Sequence, residues 1–456
     1  MNNDVQVISK ELRNTFPSNL RTYERIGPHT WKWALLFAYF AMVVDGIDIM
    51  LLSYSLTSLK AEFGLTTFQA GALGSASLAG MGIGGILGGW ACDKFGRVRT
   101  IANSVTFFSV ATCLLGFTQS FEQFIALRFI GALGIGALYM ACNTLMAEYV
   151  PTTYRTTVLG TLQTGQTVGY IAATLLAGAI IPDHGWRVLF FLTVVPAFVN
   201  IFLQRFVPEP KSWQLTKIES LQGNRQPKEM VVAEKPKSGS IYKQIFNNFK
   251  HRKMFLLWMT TAFFLQFGYY GINNWMPSYL ETEVHMNFKN LTSYMVGSYT
   301  AMILGKILAG YLADKFNRRA VFVFGTIASA VFLPIIIFFN TPDNILYLLI
   351  TFGFLYGIPY GVNATYMAES FSTDVRGTAI GGAYNIGRVG AAIAPATIGF
   401  LASGGTFTIA PATIGFLASG GTFTMAFIVM GAAYFVAGVL PGLFIKDRQY
   451  DPQRQS

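Results

Sequence analysis

Asp45 and Asp48 stand three residues apart inside a long apolar run, and of the chain's 22 acidic residues they alone lie deep in such a run. A carboxylate at the centre of a bilayer costs about 2.5–3.5 kcal/mol, so its presence there points to function. On a helix the two carboxylates point in nearly the same direction. One can hold a proton where desolvation raises its proton affinity, while the other pairs with a cation. The plainer alternative is a structural ion pair with Arg128. Two guanidiniums share the depth: at 1.5 Å per residue, Arg128 lies about 10 Å from the outer end of its run and Arg388 about 17 Å into its own. A fixed guanidinium near the midplane takes a carboxylate in two-pronged fashion, which points to an anionic substrate. The other use for Arg388 is helix packing or a partner for backbone carbonyls. Tyr269, Tyr270, Asn273, Asn274 and Trp275 share one run and offer aromatic and amide contacts to a substrate, or packing. Lys306 sits nearer the end of its run and can snorkel out.

Other chemistries find no residues. All four histidines (His29, His184, His251 and His285) fall outside the apolar runs, so proton handling rests on the aspartates. Cys92, Cys113 and Cys142 fall inside apolar runs, which argues against a disulfide framework or a metal site. Gly305-Lys306 is the nearest thing to a phosphate loop, but Ile307 stands where a Ser or Thr must hold magnesium. No Ser/His/Asp set appears, so neither an enzyme nor a cofactor is expected.

The elements that position these side chains follow from composition. Of 456 residues 52% are hydrophobic and only 12% charged, half the charge a soluble surface carries. A membrane span needs about 20 predominantly apolar residues, and the sequence predicts an all-α integral membrane protein with twelve of them. The first six cover roughly 31–56, 68–91, 101–117, 121–147, 157–181 and 188–207; the second six cover 254–280, 291–313, 320–339, 345–368, 378–402 and 423–445. The expected organisation is a tail over 1–30, a six-helix bundle over 31–207, a basic linker over 208–253, a second bundle over 254–445 and a tail over 446–456. The first thirty residues are polar and carry no cleavable signal pattern. With both ends inside, 27 of the 33 Lys and Arg fall on the cytoplasmic side, which satisfies the positive-inside rule. The net charge of +11 is then a topology signal with an attraction to anionic lipid, not a sign of nucleic-acid binding.

The chain repeats itself at a shift of 221. Gly89, Asp93, Lys94, Phe95 and Arg97 fall on Gly310, Asp314, Lys315, Phe316 and Arg318; Glu148 falls on Glu369 and Arg155 on Arg376. These charges lie at the cytoplasmic mouth, where ion pairs between helix ends can form in one conformation and break in another, and we read them as gate and scaffold. The same shift sets Asp45 against Gln266, Asp48 against Tyr269, Arg128 against Leu349 and Arg388 against Thr167. Charges present once lie in the membrane, and we read them as substrate and proton chemistry. Duplicated bundles with a site between them are the architecture of secondary transporters.

The doubled loop motif, Arg128 with the following Gly131, Gly134 and Gly136, and Pro208-Glu209-Pro210 closing span six resemble the major facilitator superfamily over nearly the whole chain. Asn317 replaces the turn glycine in the second copy of the loop. Asp45-Gly46-Ile47-Asp48 with Gly387-Arg388-Val389-Gly390 and Pro395 resemble, within it, the aromatic acid:proton symporters of bacteria, which import benzoate-type acids and relatives such as cis,cis-muconate. That resemblance implies a symporter in the inner membrane with protons and a small organic acid as its partners. Ile47 departs from the aromatic residue usual between the two aspartates and leaves room for an open-chain dicarboxylate. A facilitative sugar or polyol carrier, a drug exporter and a receptor that no longer transports are the alternatives; the membrane-deep charges favour an acid over a neutral sugar, and the intact gate motif of the first half with the charged core argues against the receptor. One oddity stands apart: residues 393–408 are repeated without a change at 409–424. A thirteenth span would carry the C-terminal cations outside, so the expectation is that one copy is surplus and adds an external loop or re-entrant piece.

Overall fold

Backbone amides in hydrocarbon have no water to bond, so long apolar segments coil into helices that satisfy them internally. The computed structural model describes residues 30–150, 155–210, 213–214, 243, 245–371, 375–403 and 423–445, apart from the side chains of residues 155–157, 314 and 376–378. The two tails, most of the linker, residues 404–422 of the repeated segment and the side chains of Arg155, Asp314 and Arg376 lie outside the described residues.

The first half comprises α1 (Thr30–Phe63), α2 (Thr67–Phe95), α3 (Arg97–Leu115), α4 (Phe121–Tyr149), α5 (Arg155–Phe191) and α6 (Val195–Gln204). The second comprises α7 (Phe249–Thr282), α8 (Phe288–Lys315), α9 (Arg318–Phe339), α10 (Ile345–Glu369), α11 (Arg376–Ala402) and α12 (Thr424–Phe444). Eleven apolar helical runs among the described residues are long enough to cross a membrane, because the fifth and sixth expected spans merge into one of 47 residues, Val158–Gln204. At 1.5 Å per residue that run would be about 70 Å long, twice a bilayer core. It breaks at Gly185, whose φ of 75° and ψ of 171° interrupt the helix one residue after His184 and so divide the run into two passages. Only glycine adopts that backbone without strain. Helix α7 begins at Phe249, before the expected start of its span, because Asn248 caps it by accepting from the Lys250 and His251 amides.

The two halves pack alike. Helix α2 lies on α4 and α1 on α5, as α8 lies on α10 and α7 on α11. Large apolar side chains such as Ile86, Phe198 and Leu443 are two-thirds or more exposed and suit a lipid surround. Contacts between the halves run along α2–α11, α5–α8 and α1–α7. They reach from mid-depth to the end opposite the linker, where Thr57 meets Ser278 at 3.3 Å, Phe68 meets Phe400 and the Ala396 amide donates to Ser75. The buried apolar residues follow the same division. One cluster joins Leu51, Tyr54 and Tyr170 to Met295 and Tyr299 across the halves, while the linker end of the first half has a core of its own around Ala38, Val105 and Leu145.

Candidate functional site

Gly46, between the two aspartates, is where α1 touches α5. A Cβ on Gly46 would stand 2.2 Å from the Gln166 carbonyl oxygen, so only glycine lets the backbones approach this closely. The contact brings Gln166 Nε2 to donate to Asp45 Oδ2 at 3.2 Å, and Asp45 Oδ1 is buried without a hydrogen-bond partner. Asp45 is fully buried.

Asp48 turns the other way. Its Oδ2 accepts from Arg128 Nη1 at 2.7 Å and its Oδ1 from the Thr112 hydroxyl at 2.5 Å. Arg128 also donates from Nη2 to the Asp48 carbonyl at 3.1 Å and from Nε to Ser77 Oγ at 2.8 Å. Ser77 in turn donates to the Leu73 carbonyl. The side chains of Arg128 and Asp48 are only 3% and 2% exposed. This is a network binding α1 to α2, α3 and α4, in which each of the three guanidinium nitrogens of Arg128 donates. The sequence grouped Asp45 with Asp48 and Arg128 with Arg388; the structure brings Asp48 and Arg128 together and leaves Asp45 and Arg388 on the other side of α1.

Arg388 is partly buried between the halves. Its guanidinium lies over the rings of Tyr139 at 5.1 Å and Tyr384 at 5.7 Å, and its Nη1 has no hydrogen-bond partner. Its electrostatic neighbours include Tyr384, Tyr270, Tyr139 and Asp45. Beside it, Tyr269 donates to Tyr170 across the halves at 3.3 Å, and Tyr170 meets Tyr299 edge-on at 5.4 Å. Tyr269 also stacks on Tyr356, whose hydroxyl takes a bond from Asn273 Nδ2 at 2.7 Å. Asn273 is thus committed to the aromatic cluster, whereas Asn274 has a buried Nδ2 without a partner at the crossing with Gly74. Trp275 is turned away: it is fully buried, donates to the Pro395 carbonyl at 3.0 Å and packs on Phe423. Lys306 does not snorkel to the end of α8 but crosses to Thr167 Oγ1 at 2.9 Å.

Gln166, Tyr139, Tyr170, Tyr299 and Tyr384 were not singled out from the sequence. Two signals bear on them: Tyr384 stands one helical turn before Arg388, on the same face, and Gln166 adjoins Thr167, the counterpart of Arg388 under the repeat.

The doubled motif builds a brace at the linker end of each half. Arg97 donates to Glu148 at 2.9 and 3.2 Å and meets Asp93 at 3.2 Å, while its counterpart Arg318 pairs with Glu369. Each pair lies within one half. Gly89 and Gly310 have open space where a Cβ would stand. The turn itself differs between halves. Gly96 has φ 105°, and Glu209 fills the place of its Cβ while accepting from the amides of Arg97, Val98 and Arg99 at the start of α3. Burial pushes the Glu209 carboxyl up, against the pull of those amides and Arg99. Asn317 has extended backbone at φ −172° and caps α9 with its own side chain, accepting from the Ala320 amide at 2.9 Å. An asparagine replaces the glycine there because the turn carries its own cap.

The family model of the Major Facilitator Superfamily matches residues 38–395 and again 296–456. The chain belongs to the major facilitator superfamily. It is 63% identical over 430 residues to the cis,cis-muconate transport protein of Acinetobacter baylyi, covering 94% of this chain and 98% of that protein. It is 26% identical over 400 residues to the benzoate transport protein of the same organism, covering 83% and 85%. Among solved structures, a bacterial homologue of the human lysosomal transporter Spinster superposes with a TM-score of 0.73 at 18% identity, over 94% of this chain and all of that one. A D-xylose–proton symporter superposes at 0.72 and 18% identity, over 91% of this chain and 98% of that one. Those two likenesses show the fold. The chain is therefore a multi-pass membrane protein and a secondary transporter of the muconate and aromatic-acid type, not an enzyme.

Proposed function

We propose that this carrier imports a small organic anion together with protons across the bacterial inner membrane, and that its substrate is an open-chain dicarboxylate of the cis,cis-muconate type. The observation that carries the reading is Arg388 beside Asp45 at the interface of the halves, each with a buried polar atom lacking a partner. An ionised Asp45 supplies the negative charge that a buried guanidinium needs. Protonation of Asp45 withdraws that charge and leaves Arg388 to a substrate carboxylate, so proton and anion are taken up together. The neighbouring tyrosines suit a planar, unsaturated carbon chain. The 63% identity with a cis,cis-muconate transport protein supports that substrate.

The linker end carries most of the cations, which supports a cytoplasmic linker and cytoplasmic termini. Among the described residues the contacts between halves close the opposite end, which supports a carrier that opens toward the cytoplasm. Rocking of the halves about the Arg388–Asp45 level would then alternate access, while the Arg97–Glu148 and Arg318–Glu369 pairs steady each half during the motion. The test is uptake of labelled cis,cis-muconate, benzoate and a neutral sugar into vesicles, with and without an inward proton gradient. Gradient-dependent accumulation of the dicarboxylate is expected, and gradient-independent equilibration of the sugar would overturn the reading.

A further inference from the structure

The repeat relates a second cation to Arg388. Lys306 on α8 donates to Thr167 on α5 at 2.9 Å. Shifted by 221, position 306 falls on Gly85 and Thr167 falls on Arg388. Arg388 Nη1 lies 3.7 Å from where a Cβ would stand on Gly85. The structure therefore makes one contact twice, at α5–α8 and at α2–α11, with a cation in each. By chain position the two contacts match in depth: Lys306 is nine residues from the end of α8 and Gly85 ten from the end of α2, about 14 and 15 Å.

Both cations belong to the second half, and their direct contacts in the first are neutral: Thr167 for Lys306 and the Tyr139 ring for Arg388. Among the described residues neither has a carboxylate within ion-pair distance. The hydroxyl of Thr167 offers the half-buried Lys306 no counter-charge, and a cation drawn out of water without one is costly. Tyr299, two helical turns before Lys306 on the same face of α8, joins the ring cluster of Tyr170. Tyr384, one turn before Arg388, lies under its guanidinium. Arg388 thus lies directly against an aromatic surface, and Lys306 lies about 10 Å along α8 from one.

We propose that Lys306 and Arg388 form a two-point clamp, each holding one carboxylate of the substrate, and that Lys306 makes the carrier select diacids over monoacids. This rests on the anion-importer reading above and names which residue takes the second charge. An acid with one carboxylate engages Arg388 and leaves Lys306 unpaired.

The test is titration calorimetry of the purified full chain with cis,cis-muconate and with 2,4-hexadienoate, a six-carbon diene with one carboxylate. The wild type is expected to bind the diacid at least about tenfold more tightly, a difference of about 1.4 kcal/mol. In Lys306→Gln the preference is expected to fall to within about twofold, and in Lys306→Arg to persist. A tenfold preference that survives in Lys306→Gln, or a wild type without one, overturns the clamp. Where the Gln variant does not fold, loss of the preference in Lys306→Arg overturns it and retention supports it. A wild type that binds neither acid overturns the anion-importer reading, and the clamp with it.

Discussion

Replacing Asp48 with Ala separates the two aspartates most clearly, because it removes the counter-charge of Arg128 and the acceptor of Thr112 at once. Arg128 stays behind with its side chain 3% exposed, bonded only to Ser77 and a carbonyl. Removing one partner of a buried ion pair costs about 3–5 kcal/mol. In a unit of roughly 150–250 residues each kcal/mol moves the melting temperature by about 2–4 °C, so a fall of about 6–20 °C is expected. Neutralising both partners, as Asp48→Asn with Arg128→Gln, removes the stranded charge and should recover most of the loss. Asp45→Asn should cost less than Asp48→Ala, because Asp45 has one bond to Gln166 and a longer-range attraction to the half-buried Arg388 to lose, not a close ion pair. The assay is thermal unfolding of detergent-purified protein followed with a thiol-reactive dye, since Cys92 and Cys142 are buried in the fold. Asp48→Ala melting within about 2 °C of the wild type would refute the brace, as would a double variant no more stable than the single one.

Three further outcomes are open to measurement. Arg388→Lys keeps the charge but loses the planar fork, so the apparent affinity for the substrate should weaken about tenfold or more in uptake assays; an unchanged affinity would return Arg388 to a packing role. Gly46→Ala places a methyl 2.2 Å from the Gln166 carbonyl oxygen, so α1 and α5 must part at a cost of about 1–3 kcal/mol, read as a lowered melting temperature with transport impaired. Deleting residues 409–424, the second of two identical copies, should leave transport intact; a deletion variant that reaches the membrane and does not transport would show that the extra copy is needed.

Much of this was legible in the sequence. A charge inside an apolar run is rare enough to be read without coordinates, which is why Asp45, Asp48, Arg128 and Arg388 could be picked out. The repeat of 221 marked the two halves and placed Arg97 and Glu148, with their counterparts Arg318 and Glu369, at the cytoplasmic mouth, but did not pair them. The partnering of the charges was not legible. Three residues on a helix leave side chains about 60° apart, close enough to share a face in a sequence argument. That angle nevertheless sends Asp48 toward α3 and α4 and Asp45 toward α5. Helix crossings decide which neighbour each one meets, and crossings depend on close approaches such as Gly46 on Gln166. Trp275 shows the same limit: its spacing grouped it with Tyr269 and Asn273, yet the Pro395 carbonyl draws it into packing against α11.

The central claim is that Asp45 carries the proton, and the most direct measurement is the external pH of a lightly buffered vesicle suspension when cis,cis-muconate is added. Wild-type vesicles should take up protons with the substrate and turn the medium alkaline. Asp45→Asn vesicles should exchange labelled internal for external substrate yet leave the pH unmoved. Alkalinisation by the Asp45→Asn variant at the wild-type rate would contradict the claim.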